Sequence, residues 1–275
     1  MAIELPEART LATQMNEVLP GKVIARLHVS DECASLIRQG FVNVRPADVT
    51  GKVIGAVTSQ GKWIFLKLEP DAYLLFALET GGKILFHRSP QSVPERLNLR
   101  FDLSDGSALS VRIVGWGFAK AVLERELKAQ RYPGHLGLSP LDAEEFTPAR
   151  FSALLDETPK QVIKQVLTDQ RRIAGIGNGY AQEILFQARI HPKRRVADLT
   201  EGDKKRLYDT IREVLSEALR LGGRDSECDV YDVAGRYRPA LAARAEGKPC
   251  PRCGTPIEKL RVLGGASYVC PNCQE

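Results

Sequence analysis

At 275 residues, with 43% hydrophobic and 27% charged residues, the chain is sized for two domains, or one domain with a small appendage, and can bury substantial cores. A formal charge of +5 and a pI near 8.9 permit a polyanionic partner, while a plain solvated basic surface fits equally well. The sequence has no apolar run long enough for a membrane span and no signal-peptide pattern in MAIELPEART; it argues against a membrane or secreted protein, and a cytoplasmic one is expected, nucleoid-associated if bacterial.

In chain order, EARTLATQMN at 7–16 spaces Leu11 and Met15 four apart and predicts a helix buried along one face. Segments with strand character follow at 22–29, 53–59, 62–68, 73–78 and 83–87, punctuated by glycines at 51, 55, 61, 81 and 82. Two more, 97–103 and 108–114, flank Ser104-Asp105-Gly106, a hairpin turn. Residues 1–130 therefore predict a β-sandwich or barrel-like domain with one helix against it. A linker with Pro133, Gly134 and Gly137 is expected at 131–139. Helical patterns then occupy 140–223 and stop at Gly222-Gly223, giving an α+β fold class. A polar loop at 224–247 leads to a cysteine unit at 248–275.

Inside the helical part, 161–192 reads as two helices joined by a tight turn. Val162, Val166 and Leu167 mark one face before the turn, and Ile184, Leu185 and Ala188 mark one after it. The intervening Ala174-Gly175-Ile176-Gly177-Asn178-Gly179 is too rich in glycine to continue either helix. Asn178 is a good N-cap type, and the open N–H groups of a helix start would suit a DNA phosphate. An ordinary capped helix hairpin fits the same spacing. Arg171-Arg172, Lys193-Arg194-Arg195 and Lys204-Lys205-Arg206 would each gain from phosphate contact through counterion release.

Four cysteines stand as Cys250-x2-Cys253 and Cys270-x2-Cys273, separated by a segment at 255–268 that suits a β-hairpin turning near Gly264-Gly265. Four thiolates at this spacing favour tetrahedral Zn²⁺ in a closed structural site, whereas disulfides suit a secreted chain. So small a unit has few apolar groups, and metal binding would supply most of its folding energy, about 10–16 kcal/mol in modules of this kind. Cys33 and Cys228 fit no ligand spacing; Cys33 is expected in the core, and Cys228 lies in the loop with no assignable role.

The run IKQVLTDQ followed by AGIGNGYAQEILFQARIHP resembles the helix-two-turn-helix signature of the formamidopyrimidine-DNA glycosylase and endonuclease VIII family. The terminal four-cysteine ribbon and the opening Glu4-Leu5-Pro6-Glu7 extend the resemblance over almost the whole chain. It implies a base-excision repair glycosylase, expected as a monomer, that binds double-stranded DNA containing a damaged base between two domains. Such an enzyme flips the modified base, cleaves its N-glycosidic bond and lays the ribbon in the minor groove. Lys164 and Asn178 match the family's phosphate grips, and Lys62 matches its hairpin lysine near the lesion phosphate; a solvated strand lysine is the alternative for Lys62. Thr80, Trp116 and Phe118 stand where family enzymes place the methionine, arginine and phenylalanine that fill the gap left by the flipped base. Core aromatics are the alternative for Trp116 and Phe118. The loop at 224–247 occupies the place of a mobile lesion-capping loop, with Asp225, Asp229, Tyr231 and Tyr237 as candidates. Where family ribbons carry an arginine after paired glycines, this chain has Ala266 and Ser267.

Family enzymes also place a proline immediately before ELPE, and its secondary amine attacks the sugar C1′. Here that residue is Ile3, and with Met1 removed the chain would start at Ala2, one residue early. A terminal amine of pKa about 7.7–8.0 is a better neutral nucleophile than a lysine at about 10.4, yet one residue of displacement is up to about 3.3–3.6 Å. Glu4 is expected to activate water or protonate the departing base or opened sugar, with Glu7 as the second acid. Complementarity to a helix dipole is the other reading of the pair. The expected activity is thus a monofunctional DNA N-glycosylase with weak or no AP-lyase chemistry. Its rival is a catalytically silent protein that binds damaged DNA, and a third reading is a zinc-ribbon module without DNA affinity.

Overall fold

Ala8, Leu11, Ala12 and Met15 fall on one side of α1 (Leu5–Val18), and burial of that side organises the N-terminal half of the chain. The protein is described from a computed structural model over residues 2–130 and 134–275. It divides into two units: the described residues up to His135 with Leu221–Arg236, and Leu136–Arg220 with Tyr237–Glu275. Part of the linker expected at 131–139 lies, at 131–133, outside the described residues, as does Met1. The stretch 224–247, read from sequence as one loop, is divided between the two units at Arg236.

The first unit contains β1 (Ile24–Val29), α2 (Ala34–Arg38), β2 (Val42–Asn43), α3 (Pro46–Val49), β3 (Val53–Gln60), β4 (Trp63–Glu69), β5 (Ala72–Ala77), β6 (Lys83–His87), β7 (Leu99–Leu103), β8 (Ala108–Arg112) and β9 (Phe118–Leu123). One sheet has the order β2-β9-β5-β4-β3 and the other β1-β7-β8-β6. Only β2 and β9 pair in parallel; the other strand pairs of the two sheets are antiparallel. Ile64, Leu66 and Phe76 of the first sheet join Leu99, Phe101, Leu109 and Val111 of the second in one core with the buried face of α1. Cys33 lies fully buried in it. Helix α1 packs on β3 and β4.

The second unit contains α4 (Pro148–Asp156), α5 (Ile163–Thr168), α6 (Asn178–Gln187), α7 (Glu201–Arg220), β10 (Glu258–Val262) and β11 (Gly265–Val269). Leu207, Ile211 and Leu215 recur every four residues along α7 and close a core with Ile163, Val166, Ile176, Tyr180 and Ile184. Helix α6 carries apolar residues on more than one face, because Phe186 belongs to a separate cluster with Leu241, Ile257 and Tyr268. Gln182 and Glu183, buried on the same helix, donate to and accept from the backbone of Leu241, at 2.7 and 3.2 Å. The cysteine unit is thereby docked on α6.

Two expectations shift in the structure. Asn178 is the first residue of α6 rather than its cap; Gly177 takes the cap position with an extended backbone. β2, β9, α2 and α3 have no counterpart in the sequence reading, being very short or, for β9 (FAKAVL), rich in alanine with no clean alternation. Substituting Phe101→Ala, at the centre of the first core, is expected to lower stability by about 3–5 kcal/mol, read as a reduced midpoint in urea unfolding.

Candidate functional site

Glu4, Glu7 and Arg224 form a buried charged cluster in the first unit. Glu4 precedes α1, and its amide donates to Glu7 Oε2 at 2.8 Å, the half of a capping box that fixes where the helix begins. The Glu7 carboxylate also receives Arg224 through its backbone N–H (2.9 Å), Nε (3.1 Å) and Nη2 (3.3 Å). Nη1 reaches Glu4 Oε1 at 3.4 Å, and Nη2 donates to the Ala2 carbonyl at 2.7 Å. Glu4 and Arg224 are each 1% exposed. A guanidinium between two carboxylates supplies the countercharge that makes their burial tolerable. Glu227 is buried nearby; burial pushes its carboxyl up, with the Arg224 charge opposing and Glu7 adding to the rise.

The same unit brings further candidates toward the N-terminal residues. The Ile3 amide donates to Leu78 O at 3.1 Å, just beyond β5, and Ile3 itself lies in the core. Ala77, the last residue of β5, pairs with Phe118 of β9. Thr80 follows on an exposed turn. Between β8 and β9, Gly115 adopts φ +56° and the Gly117 amide closes onto Val114 O, so Trp116 occupies the tip of a tight turn. Trp116 is 79% exposed, with Phe41 edge-on at 5.6 Å, which removes the core reading for this tryptophan. Phe118 is half-buried, with Lys120 Nζ 5.2 Å from its ring centre. Lys62 lies in the β3–β4 turn, its Nζ 5.5 Å from the Trp63 ring. Since Ile64 stands opposite Phe76, the register carries Lys62 level with Leu78.

Lys164 and Asn178 belong to the second unit and meet there. Gln170 holds the turn between α5 and α6, donating to Thr168 O and Ile176 O and accepting from Gly175 N. Lys164 is 2% exposed and donates to Ser267 Oγ at 2.8 Å and Val262 O at 3.3 Å. Burial lowers its pKa. A Cβ built on Gly265 would fall 3.5 Å from Asn178 Nδ2 and 3.8 Å from Lys164 Nζ. The hairpin tip thus lies against the exposed Asn178 at the start of α6, the end of the helix that carries the positive pole of its dipole.

The sulfurs of Cys250, Cys253, Cys270 and Cys273 lie within 4.8 Å of one another, with 3.9 Å from Cys250 to Cys273 and 3.5 Å from Cys253 to Cys270. Tetrahedral Zn²⁺ with bonds of about 2.3 Å needs sulfurs roughly 3.8 Å apart, so the donor set fits a closed structural site. β10 and β11 pair over Glu258–Val262 and Gly265–Val269, turning at Leu263-Gly264, one residue ahead of the Gly264-Gly265 expected from the sequence.

Arg224, Ser267 and Gly265 are the site residues that sequence reading misses. Arg224 meets partners 217 to 222 positions away, and no local pattern announces that. Ser267 stands where the resemblance led one to look for an outward-reaching group, and it is turned inward to Lys164 instead. Tyr237 packs against Tyr180 in the second unit, while Asp229 turns inward to Gln14 in the first. Among the described residues no helix is long and apolar enough to cross a membrane.

Comparison with known proteins accounts for both units. Residues 2–113 match the formamidopyrimidine-DNA glycosylase N-terminal domain, 136–229 the H2TH domain of the same proteins, and 247–275 the zinc finger found in FPG and IleRS. A formamidopyrimidine-DNA glycosylase of Enterococcus faecalis is 31% identical over 276 residues, spanning 99% of this chain and 97% of that one. One from Pelotomaculum thermopropionicum is 33% identical, with 99% of each chain covered. Among solved structures, Lactococcus lactis Fpg in complex with DNA containing an abasic site superposes with a TM-score of 0.84 at 26% identity over 99% of both chains. The MutM (Fpg) protein of Thermus thermophilus does so with the same score at 31% identity over 98% of each.

Removing the metal should act on the second unit alone. With a strong chelator, or with Cys270→Ser, the β10–β11 amides are expected to lose protection from hydrogen exchange while the β4 amides keep theirs, and metal analysis should find one zinc per intact chain.

Proposed function

Because the chain belongs to the formamidopyrimidine-DNA glycosylase family, we propose that it is a base-excision repair enzyme that binds double-stranded DNA at a damaged base, flips that base and releases it by hydrolysis. The observation that carries the reading is the fixed Glu4 carboxylate at the start of α1, in the unit that also presents the exposed Trp116. In this reaction an oxygen of water bonds to the sugar C1′, the N-glycosidic bond breaks, and the leaving base takes a proton. Glu4 supports it by taking the water proton or delivering one to the base. Glu7, spent on the helix start and on Arg224, acts as a positioning residue. Trp116 fills the stack vacated by the base, with Thr80 and Phe118 flanking it. Lys164, Asn178 and Lys62 hold phosphates, and the zinc hairpin supports Lys164 through Ser267. The enzyme works as a monomer in the cytoplasm, where chromosomal DNA is within reach.

The secondary reading, a silent reader of damaged DNA, is favoured by Ile3, whose side chain is buried and whose amide is committed to Leu78 O. Duplexes carrying oxidised, alkylated, deaminated and abasic positions, treated with and without borohydride, separate the readings. Base release without a trapped adduct supports hydrolysis; a trapped adduct assigns the attack to an amine such as that of Ala2; binding without either product moves the assignment to the silent reader. Glu4→Gln is expected to slow base release by about 10²–10⁴-fold with DNA affinity retained, measured under single turnover. Trp116→Ala is expected to cost about 1–3 kcal/mol of stacking, on the order of tenfold in the same rate, and to leave the melting curve unchanged.

A further inference from the structure

Arg224 has no task in the chemistry assigned to Glu4, yet it is among the largest fully buried side chains of the molecule. A guanidinium offers five N–H donors in a rigid fork. Here the fork spans Glu7, Glu4 and the Ala2 carbonyl, three acceptors that a lysine ammonium could not reach in the same planar arrangement. The loop carrying it is itself secured. Phe86 N donates to Val230 O at 2.8 Å, Gln14 Oε1 accepts from Val230 N at 3.2 Å, and Gln14 Nε2 donates to Asp229 Oδ2 at 2.9 Å. Gly223 passes so close to Glu7 that a Cβ there would fall 2.7 Å from Glu7 Cγ, so the backbone entering Arg224 fits only without a side chain at that point.

We propose that Arg224 is a positioning residue which, by bridging Ala2, Glu4 and Glu7, holds the N-terminal segment and the Glu4 carboxylate in the geometry required for base release. The role rests on the glycosylase reading of Glu4, and it assigns to Leu221–Arg236 an anchoring function at the start of the chain. A purely structural tie would alter stability alone. A positioning role alters the chemical step while DNA binding persists.

The test is Arg224→Lys, which keeps the charge and loses the fork. Three quantities are measured: the single-turnover rate of base release on the duplex that the unaltered protein processes best, the dissociation constant for that duplex, and the hydrogen exchange of the Ile3 amide. The rate is expected to fall about 100-fold and the dissociation constant to stay within about threefold. Ile3 exchange should accelerate at least about tenfold while the Phe65 and Leu66 amides of β4 keep their protection. A rate within about threefold of the unaltered protein, or unchanged Ile3 exchange, overturns the proposal even if the melting temperature drops. If the unaltered protein releases no base from any duplex, the glycosylase reading fails separately, and Ile3 exchange alone decides whether Arg224 holds the segment. Should Arg224→Lys not fold, Arg224→Gln combined with Glu7→Gln, which removes one base and one acid together and leaves the net charge of the three side chains unchanged, carries the same measurements.

Discussion

The first unit depends on one guanidinium shared by two carboxylates and a backbone carbonyl. Taking these charges out of water costs several kcal/mol per ion, and only close, multiply hydrogen-bonded geometry offsets it. That condition is met around Glu7, which Arg224 engages through Nε, Nη2 and its own amide. Loss of the guanidinium would leave two buried carboxylates without their countercharge, at about 3–5 kcal/mol. Because Glu4 and Arg224 are separated by 220 positions, the contact forms only after the chain has run through the second unit and returned. The start of α1, the path of residues 2–7 and the seating of Leu221–Arg236 are therefore settled together.

The second unit repeats this logic with a lysine. Lys164 is anchored on a short helix whose own hydrogen bonds are few, and the hairpin tip supplies its oxygen acceptors. Burial lowers its pKa, and an anion placed beside it would act in the opposite direction by favouring the charged form. The zinc site bears on this without touching the anion. Holding the cysteines holds β10 and β11 in register, and the register sets where Ser267 and Gly265 face.

Legibility from sequence followed the range of the interactions involved. β6 was read to the residue because its apolar run and the Gly81-Gly82 turn before it are local signals, and the cysteine hairpin because ligand spacing is local too. β9 was missed although it sits inside the five-stranded sheet; its strand state comes from pairing with β5 and β2, since FAKAVL has little strand preference of its own. The cap of α6 moved from Asn178 to Gly177 because the turn is fixed by Gln170, eight residues upstream, rather than by the side chain that best suits a cap. Sequence could name Trp116 as wedge or core but not choose. Its exposure removes the core reading alone, and that exposure rests on a turn whose second strand carries no clear local signal. Arg224 was unreadable for the strongest reason, since all its partners lie at the far end of the chain.

The position before Glu4 shows how these constraints bear on the chemistry. Ile3 is held twice, by its side chain in the core and by its amide on Leu78 O, so this residue is committed to structure. The residue before it is held by its carbonyl on Arg224. An attacking amine has to approach C1′ along a narrow path, and a chain fixed at residues 2 and 3 has little freedom to find one from a new starting point. A carboxylate that delivers or removes a proton, directly or through one water, tolerates more variation in distance. With Glu4 buried beside Arg224 and residues 2 and 3 committed to structure, the proposed glycosylase reading fits acid–base assistance of hydrolysis better than covalent attack.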